Sequence, residues 1–264
     1  MPLEAKNTVK SLDDQIVDLL IKFSIPLYVD YEDVPTQIGT GFIVHSEHGF
    51  FLVSAAHVLD DALTHGMYFY CSPSLKRHLS GKLVRSKVTP DRTQDAIDVG
   101  VLRLLDGPFP PYQEVDKFAM DISYLKPRYV PREGSQYLMI GYPSTKSKVS
   151  RTAPFVSVAP YALTTDSAEP EEYRKHALPE ETHILLKLDV KNAFDTQSGR
   201  HMHFPKPQGM SGAPVIVSYD DNEESRVFPV VGVAIEHRAT ARIIVATDVR
   251  FVLEAIDVAT AGEE

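Results

Sequence analysis

Three short stretches of this 264-residue chain carry a reactive side chain where a strand-like run meets a loop, flanked by small residues that let another backbone approach. In GTGFIVHSEHGFFLVSAAHVLDD, the run leads through Ser54-Ala55-Ala56 to His57. One histidine among ten is ordinarily a surface or satisfied core group, so His57 gains meaning only from its company. In DAIDVGVLRL, Asp98 stands at the head of an apolar strand. A strand-initiating turn acid is the plain alternative, and Asp95 fills that place equally well. In FPKPQGMSGAPVIVS, Ser211 lies between Gly209 and Gly212, with Pro214 closing the turn. Two glycines about a serine permit a tight turn that exposes Oγ and aims consecutive N–H groups at one point, as an oxyanion requires. A glycine-rich hairpin turn is the alternative.

The three matter jointly. A serine hydroxyl scarcely reacts at its own pKa, so an imidazole must take its proton and a carboxylate must fix that imidazole's tautomer and stabilise its cation. All three groups are present in the order His, Asp, Ser, with His57 and Asp98 in one strand-rich half and Ser211 in the other.

The elements that must position them follow from the periodicity. Leu12, Ile16, Leu19, Leu20 and Phe23 recur at helical spacing behind a Ser11/Asp14 capping pattern, and Pro26 ends that helix. Short apolar runs bounded by Gly, Pro, Asp or Ser then predict strands near 26–31, 38–45, 50–55, 67–71, 82–88 and 98–104. A second set is predicted near 136–141, 153–161, 183–190, 214–218, 228–236 and 242–247, and Val249, Val252, Leu253 and Ile256 predict a closing helix. Between the sets, residues 106–134 hold five prolines and no sustained period, which reads as a linker. Residues 166–182, with six carboxylates against two basic groups, read as an exposed insertion or mobile loop.

The expected architecture is all-β: two packed six-stranded antiparallel barrels with an N-terminal and a C-terminal helix. The division is 1–25 helical extension, 26–110 first barrel, 111–134 linker, 135–257 second barrel with closing helix, and 258–264 tail.

Composition mainly excludes. Twenty-seven basic against 36 acidic residues give a net charge of −9, which argues against nucleic-acid and acidic-lipid partners. No apolar run approaches the roughly 18 residues of a membrane span. A single Cys71 cannot pair internally, and acids interrupt the first 25 residues where a secretory leader needs an apolar run, so a cytoplasmic setting is expected. Cys71 reads as a small buried apolar group. His201 and His203 share a face if extended, but nothing nearby completes a metal-ligand set, so no metal or other cofactor is expected.

SAAHV at His57, DVGVLRL at Asp98 and GMSGAP at Ser211 together resemble the trypsin-like, chymotrypsin-fold serine peptidases, especially the bacterial stand-alone members and the core of the high-temperature-requirement proteases. GTGFIV, Ile140-Gly141-Tyr142-Pro143, VVGVAIEH and the C-terminal IIVATDVRFVLEAI extend the likeness over about residues 36–257. The resemblance implies that Ser211 attacks a carbonyl, His57 serves as general base and then acid, and Asp98 orients His57. It also implies an oxyanion hole from the Gly209 and Ser211 N–H groups, and a primary pocket including Pro205, Ile235, Glu236 and His237. With no Asp at the pocket floor, a medium apolar or small residue is expected before the cleaved bond. An α/β-hydrolase is disfavoured because Ala213 replaces the last glycine of G-x-S-x-G and the histidine comes first.

Met210 stands where zymogen-activated relatives carry Asp, so activation by N-terminal cleavage is not implied. The partners expected are a protein or peptide substrate and a regulatory protein. The alternative is a latent scaffold acting as a binding or signalling module.

Overall fold

A strand buried on both faces reads as an unbroken apolar run, and the runs at 215–217, 230–235 and 243–246 are of this kind. The computed structural model shows why. It describes residues 21–72, 75–87, 89, 91–104, 115–130, 136–149, 156–188, 193–195, 200–203, 205–221 and 225–261. Within them the chain forms two curled antiparallel sheets, so the expected double-barrel architecture is observed.

The first sheet follows the path β5-β4-β1-β2-β3-β7-β6, where β1 is Ser24–Tyr31, β2 Val34–Ser46, β3 Gly49–Ala55, β4 Met67–Ser72, β5 Leu75–Leu79, β6 Gly81–Arg85 and β7 Val99–Leu104. Its two edge strands, β5 and β6, are consecutive in the chain and separated by Ser80 alone. Successive Cα atoms lie only about 3.8 Å apart, so the sheet must roll until its edges meet. Strand β8 (Ala119–Asp121) adds to β2 in parallel.

The second sheet follows β13-β19-β18-β16-β9-β12-β14-β15, with β9 Gln136–Gly141, β12 Tyr161–Thr165, β13 His183–Lys187, β14 Ala193–Asp195, β15 Arg200–Met202, β16 Pro214–Asp221, β18 Val230–Arg238 and β19 Ile243–Asp248. An antiparallel bridge between Ser167 and Leu186 joins the extension of β12 to β13. The Ala168 N–H donates to the Leu185 carbonyl at 2.6 Å and the Lys187 N–H to the Asp166 carbonyl at 3.0 Å. This closes a ring of six strands, with β14–β15 and β17 (Ser225–Val227) as outgrowths, while β10 (Lys148–Val149) and β11 (Val156–Ser157) form a separate antiparallel pair.

Alternation divides the second sheet's side chains between two cores. Tyr137, Met139, Val215, Val217, Ala234 and Ile244 fill one. Their neighbours Leu138, Ile140, Ile216, Val233 and Val245 join the first sheet's core of Leu27, Phe42, Phe51, Leu59 and Val101. Period-two strands with apolar groups at every position therefore serve both the barrel interior and the inter-barrel joint.

Three elements depart from expectation. A helix, α1 (Ala56–His65), follows β3 directly. The acidic segment holds a second helix, α2 (Pro170–His176), begun by a proline in its first turn. The Tyr173 hydroxyl accepts the Leu185 N–H at 2.8 Å, tying this helix to the second sheet. Finally, the Pro-rich linker is ordered over 115–130. Leu125 bridges to Val230, and the Lys126 N–H donates to the Val230 carbonyl at 2.9 Å.

The expected N-terminal helix lies mostly outside the described residues. Residues 21–23 are helical and run straight into β1. The closing helix, α3 (Arg250–Thr260), buries Val252, Ala255, Ile256 and Ala259 and packs across β6 and β7 of the first sheet.

Between the barrels sits Thr40, fully buried on β2. Its N–H donates to the Ser211 carbonyl at 2.9 Å and its hydroxyl to the Gly209 carbonyl at 2.7 Å. The same hydroxyl accepts the Tyr142 N–H at 3.0 Å, and its carbonyl accepts the Ser54 hydroxyl at 2.7 Å. Thr40→Val keeps the shape but strands the Gly209 carbonyl and the Tyr142 N–H. We expect it to lower stability by roughly 2–4 kcal/mol, read as a lower urea midpoint at unchanged slope.

Candidate active site

Strand register brings His57 and Asp98 together. Strands β3 and β7 pair antiparallel with Ala55 opposite Val99, so the residue two beyond Ala55 and the residue before Val99 share one end of the sheet. The Ala56 N–H donates to the Asp98 carbonyl at 2.8 Å, which holds the start of α1 against that end.

Asp98 Oδ2 lies 2.5 Å from His57 Nδ1, and Oδ1 accepts the His57 backbone N–H at 2.9 Å. The Asp98 side chain is 12% exposed and that of His57 38%, so the carboxylate is enclosed while the imidazole reaches solvent. With Nδ1–H donated to a carboxylate, Nε2 is left as the acceptor nitrogen.

Asp98 adopts a left-handed backbone, φ 46°, which is costly for a residue with a Cβ. Its N–H donates to Asp95 Oδ1 at 3.1 Å. The two acids left open by the sequence are therefore distinguished: Asp98 meets the imidazole and Asp95 stands behind it.

Ser211 arrives on the loop before β16. The Met210 N–H donates to the Pro207 carbonyl at 2.9 Å and the Ala213 N–H to the Met210 carbonyl at 3.0 Å, making two successive tight turns. Both loop glycines need their left-handed backbone, φ 88° at each. The Gln208 carbonyl accepts the Ser144 N–H at 2.7 Å, so in a trans peptide the Gly209 N–H points to the opposite edge. Neither the Gly209 nor the Ser211 N–H has a hydrogen-bond acceptor among the described residues. The Ser211 hydroxyl donates to the Ile235 carbonyl at 3.4 Å, and no described hydrogen bond joins it to His57.

A narrow cleft beside Ser211 is lined by Met139, Pro207, Met210, Ala234, Glu236, His237 and Ile244. Of the expected pocket residues, Glu236 and His237 line it, and Ile235 contributes the carbonyl facing Ser211. Pro205 does not. The turn from Pro207 to Met210 presents Pro207 and Met210 to the cleft instead. Met139 and Ile244 come from β9 and β19, strands whose approach no local pattern announces.

Glu236 is engaged by Arg238, with Nε 3.0 Å from Oε2. Burial pushes His237 below the ordinary histidine range, while Glu236 pulls it back. Among the described residues no group of three or more His, Cys, Asp or Glu side chains is arranged to hold a metal ion. His203 is exposed, and the side chain of His201 lies outside the described set. Cys71 is half-buried against the first sheet's core.

Residues 39–223 match the family model of the trypsin-like peptidase domain. No curated protein matches the chain in sequence. Among solved structures, mouse neuropsin, a serine protease expressed in the limbic system of the brain, aligns with a TM-score of 0.55 at 12% identity, covering 90% of this chain and 96% of its own. The scabies mite inactivated protease paralogue S-D1 aligns with a TM-score of 0.54 at 15% identity, covering 91% and 93%. At such identities the likeness establishes the fold. The narrower likeness to high-temperature-requirement proteases rests on the sequence motifs.

A Cβ at Gly212 would lie 2.0 Å from the Thr40 carbonyl oxygen and 2.1 Å from Ser54 Oγ, in a backbone already left-handed. Gly212→Ala is therefore expected to cost roughly 3 kcal/mol or more, measured by urea unfolding, with the Ser211 loop displaced.

Proposed function

Because the chain belongs to the trypsin-like peptidase domain family, we propose that it is a serine endopeptidase working through Ser211, His57 and Asp98. The observation that carries this reading is the 2.5 Å contact of Asp98 with His57 Nδ1, which leaves Nε2 free to act as base at the end of the sheet facing the second barrel.

In the proposed reaction Ser211 Oγ attacks the scissile carbonyl carbon while His57 Nε2 takes its proton. The Gly209 and Ser211 N–H groups, both lacking acceptors among the described residues, receive the oxyanion. His57 then protonates the leaving amine, the C–N bond breaks and an acyl ester remains on Ser211. Water, deprotonated by His57, attacks that ester, and Ser211 leaves with the proton. Asp98 stabilises the imidazolium at both steps.

The cleft chemistry supports a small or medium apolar residue before the cleaved bond. Met139, Met210 and Ile244 supply apolar walls, and the one carboxylate, Glu236, is paired with Arg238. The substrate is accordingly a protein or peptide.

The Ser211 contact with the Ile235 carbonyl favours a second reading, a latent scaffold used for binding. The catalytic bond from a serine to its base is often long or misaligned without substrate and forms only in the complex, so the contact with Ile235 is compatible with activity.

A fluorophosphonate probe separates the two readings. We expect wild type to be labelled at Ser211, and Ser211→Ala or His57→Ala to lower turnover of a cleaved peptide by roughly 10⁴- to 10⁶-fold. A folded wild type that resists the probe sinks the peptidase reading.

A further inference from the structure

Behind Asp98 lies a network of charges that the triad itself does not use. Asp95 is buried, its side chain 3% exposed, yet it is a carboxylate three residues from another buried carboxylate. Both its oxygens are engaged. Oδ1 accepts the Asp98 N–H at 3.1 Å, and Oδ2 accepts the Ser86 hydroxyl at 2.7 Å and Arg92 Nη1 at 2.8 Å. Ser86 Oγ also accepts the Val99 N–H at 3.1 Å, so the same group meets the first residue of β7.

Arg92 is held in turn. Its Nε lies 2.5 Å from Asp60 Oδ2 and its Nη2 2.8 Å from Oδ1, a bidentate fork, while Arg85 Nη1 reaches Asp60 Oδ1 at 2.5 Å. Asp60 belongs to α1, the helix whose first turn carries His57. Both ends of the network thus bear on the His57–Asp98 pair, one through the Asp98 backbone and one through the helix.

We propose that Asp95, backed by Arg92 and Asp60, is the positioning residue that holds Asp98 in its left-handed conformation and aims its carboxylate at His57. The inference rests on the peptidase reading for its consequence in turnover, but not for the geometry.

Two arguments carry it. The first is conformational: a left-handed backbone is disfavoured for a residue with a Cβ, and it persists where its surroundings over-determine it. The Asp95–Asp98 bond supplies that restraint from within the same turn. It is assisted from the second barrel, where His183 Nε2 meets the Ala96 carbonyl at 2.8 Å and the Thr247 hydroxyl donates to the Ile97 carbonyl at 2.7 Å.

The second argument is electrostatic. Three carboxylates, Asp60, Asp95 and Asp98, face two guanidiniums, Arg85 and Arg92. The guanidiniums pair with Asp60 and Asp95, leaving the Asp98 charge for the imidazolium that forms at His57. Without Arg92, two adjacent buried carboxylates would face each other with no cation on Asp95. Partial burial of Asp60 works to raise its pKa, but hydrogen bonds from Arg92 and Arg85 outweigh it and hold the group below the usual carboxylate range.

The test reads the low-field proton of His57 Nδ1 by NMR in the full chain, which needs no turnover, alongside kcat and KM for a cleaved peptide. Wild type is expected to show the signal. Asp95→Ala is expected to lose it and to lower kcat roughly 10- to 100-fold, with KM within about threefold. Asp95→Asn keeps an oxygen for the Asp98 N–H and is expected to restore the signal and most of the lost kcat.

A folded Asp95→Ala protein with the wild-type signal and kcat overturns the proposal. If Asp95→Ala does not fold, Ser86→Ala, which removes one of the three groups on Asp95, is expected to broaden or shift the signal, and an unchanged signal overturns the proposal equally. If wild type cleaves no peptide while Asp95→Ala still loses the signal, the peptidase reading falls and the positioning role stands.

Discussion

The site depends first on the joint that Thr40 makes between the two barrels. His57 and Asp98 ride on the first sheet and Ser211 on the second, so their relation is set only by what fixes one barrel against the other. Thr40, a fully buried residue, uses its polar atoms to make that connection. Its N–H and hydroxyl reach the Ser211 and Gly209 carbonyls, and the same hydroxyl accepts from Tyr142. Each such bond adds only about 1 kcal/mol net, yet leaving any of the groups unpaired in the interior costs more. The joint therefore tolerates one register and penalises others. That is what a site assembled from two halves needs.

A second joint lies across the site from the first. His183 and Thr247, on neighbouring strands of the second barrel, bind the carbonyls of Ala96 and Ile97 just before Asp98. The linker adds a third: Asp248 accepts the Arg128 N–H through Oδ2 and the Arg250 N–H through Oδ1, coupling the crossing segment to the start of the closing helix. That helix is continuous with the second barrel but packs on the first, and Lys82 of β6 donates to the Ala259 carbonyl at 3.0 Å. With one half-buried thiol in the chain, the halves are held by this lacing and by the shared core rather than by disulfides.

The long strands were legible because both their faces are buried and β-branched residues fill them, and the order His, Asp, Ser was legible because each sits at a strand end beside small residues. Other features depend on contacts that sequence does not announce. β5, LKRHL, is mostly polar at a barrel edge, and β14 and β15 are three residues each. α1 was hidden by continuity, since Ser54-Ala55-Ala56 extends the apolar run of β3 without a cap or a break. The acidic stretch looked solvated, but Pro170 at its first turn, acids at its start and bases at its end are helix-favouring signals. Asp95 and Asp98 could not be told apart because the sign of φ at Asp98, which turns its side chain toward the imidazole, is decided by their mutual hydrogen bond. Pocket walls from β9 and β19 reflect barrel closure alone.

The distribution of restraint says what must move for the proposed acyl transfer and what need not. The imidazole is oriented by Asp98, and the Gln208 carbonyl is engaged by Ser144, so the backbone parts of the site are already fixed. The proposed nucleophile is loosely held: Ser211 Oγ rests on the Ile235 carbonyl at 3.4 Å, the outer limit of a hydrogen bond. A neutral contact of that length is worth less than the ordinary bond of about 1 kcal/mol. Rotating one hydroxyl away from it is a far smaller step than rebuilding a loop. Met210 stands before Ser211, and Thr40 and Ser144 tie this loop through its backbone carbonyls. For the proposed peptidase this leaves the Ser211 hydroxyl, rather than the loop that carries it, as the part that must turn.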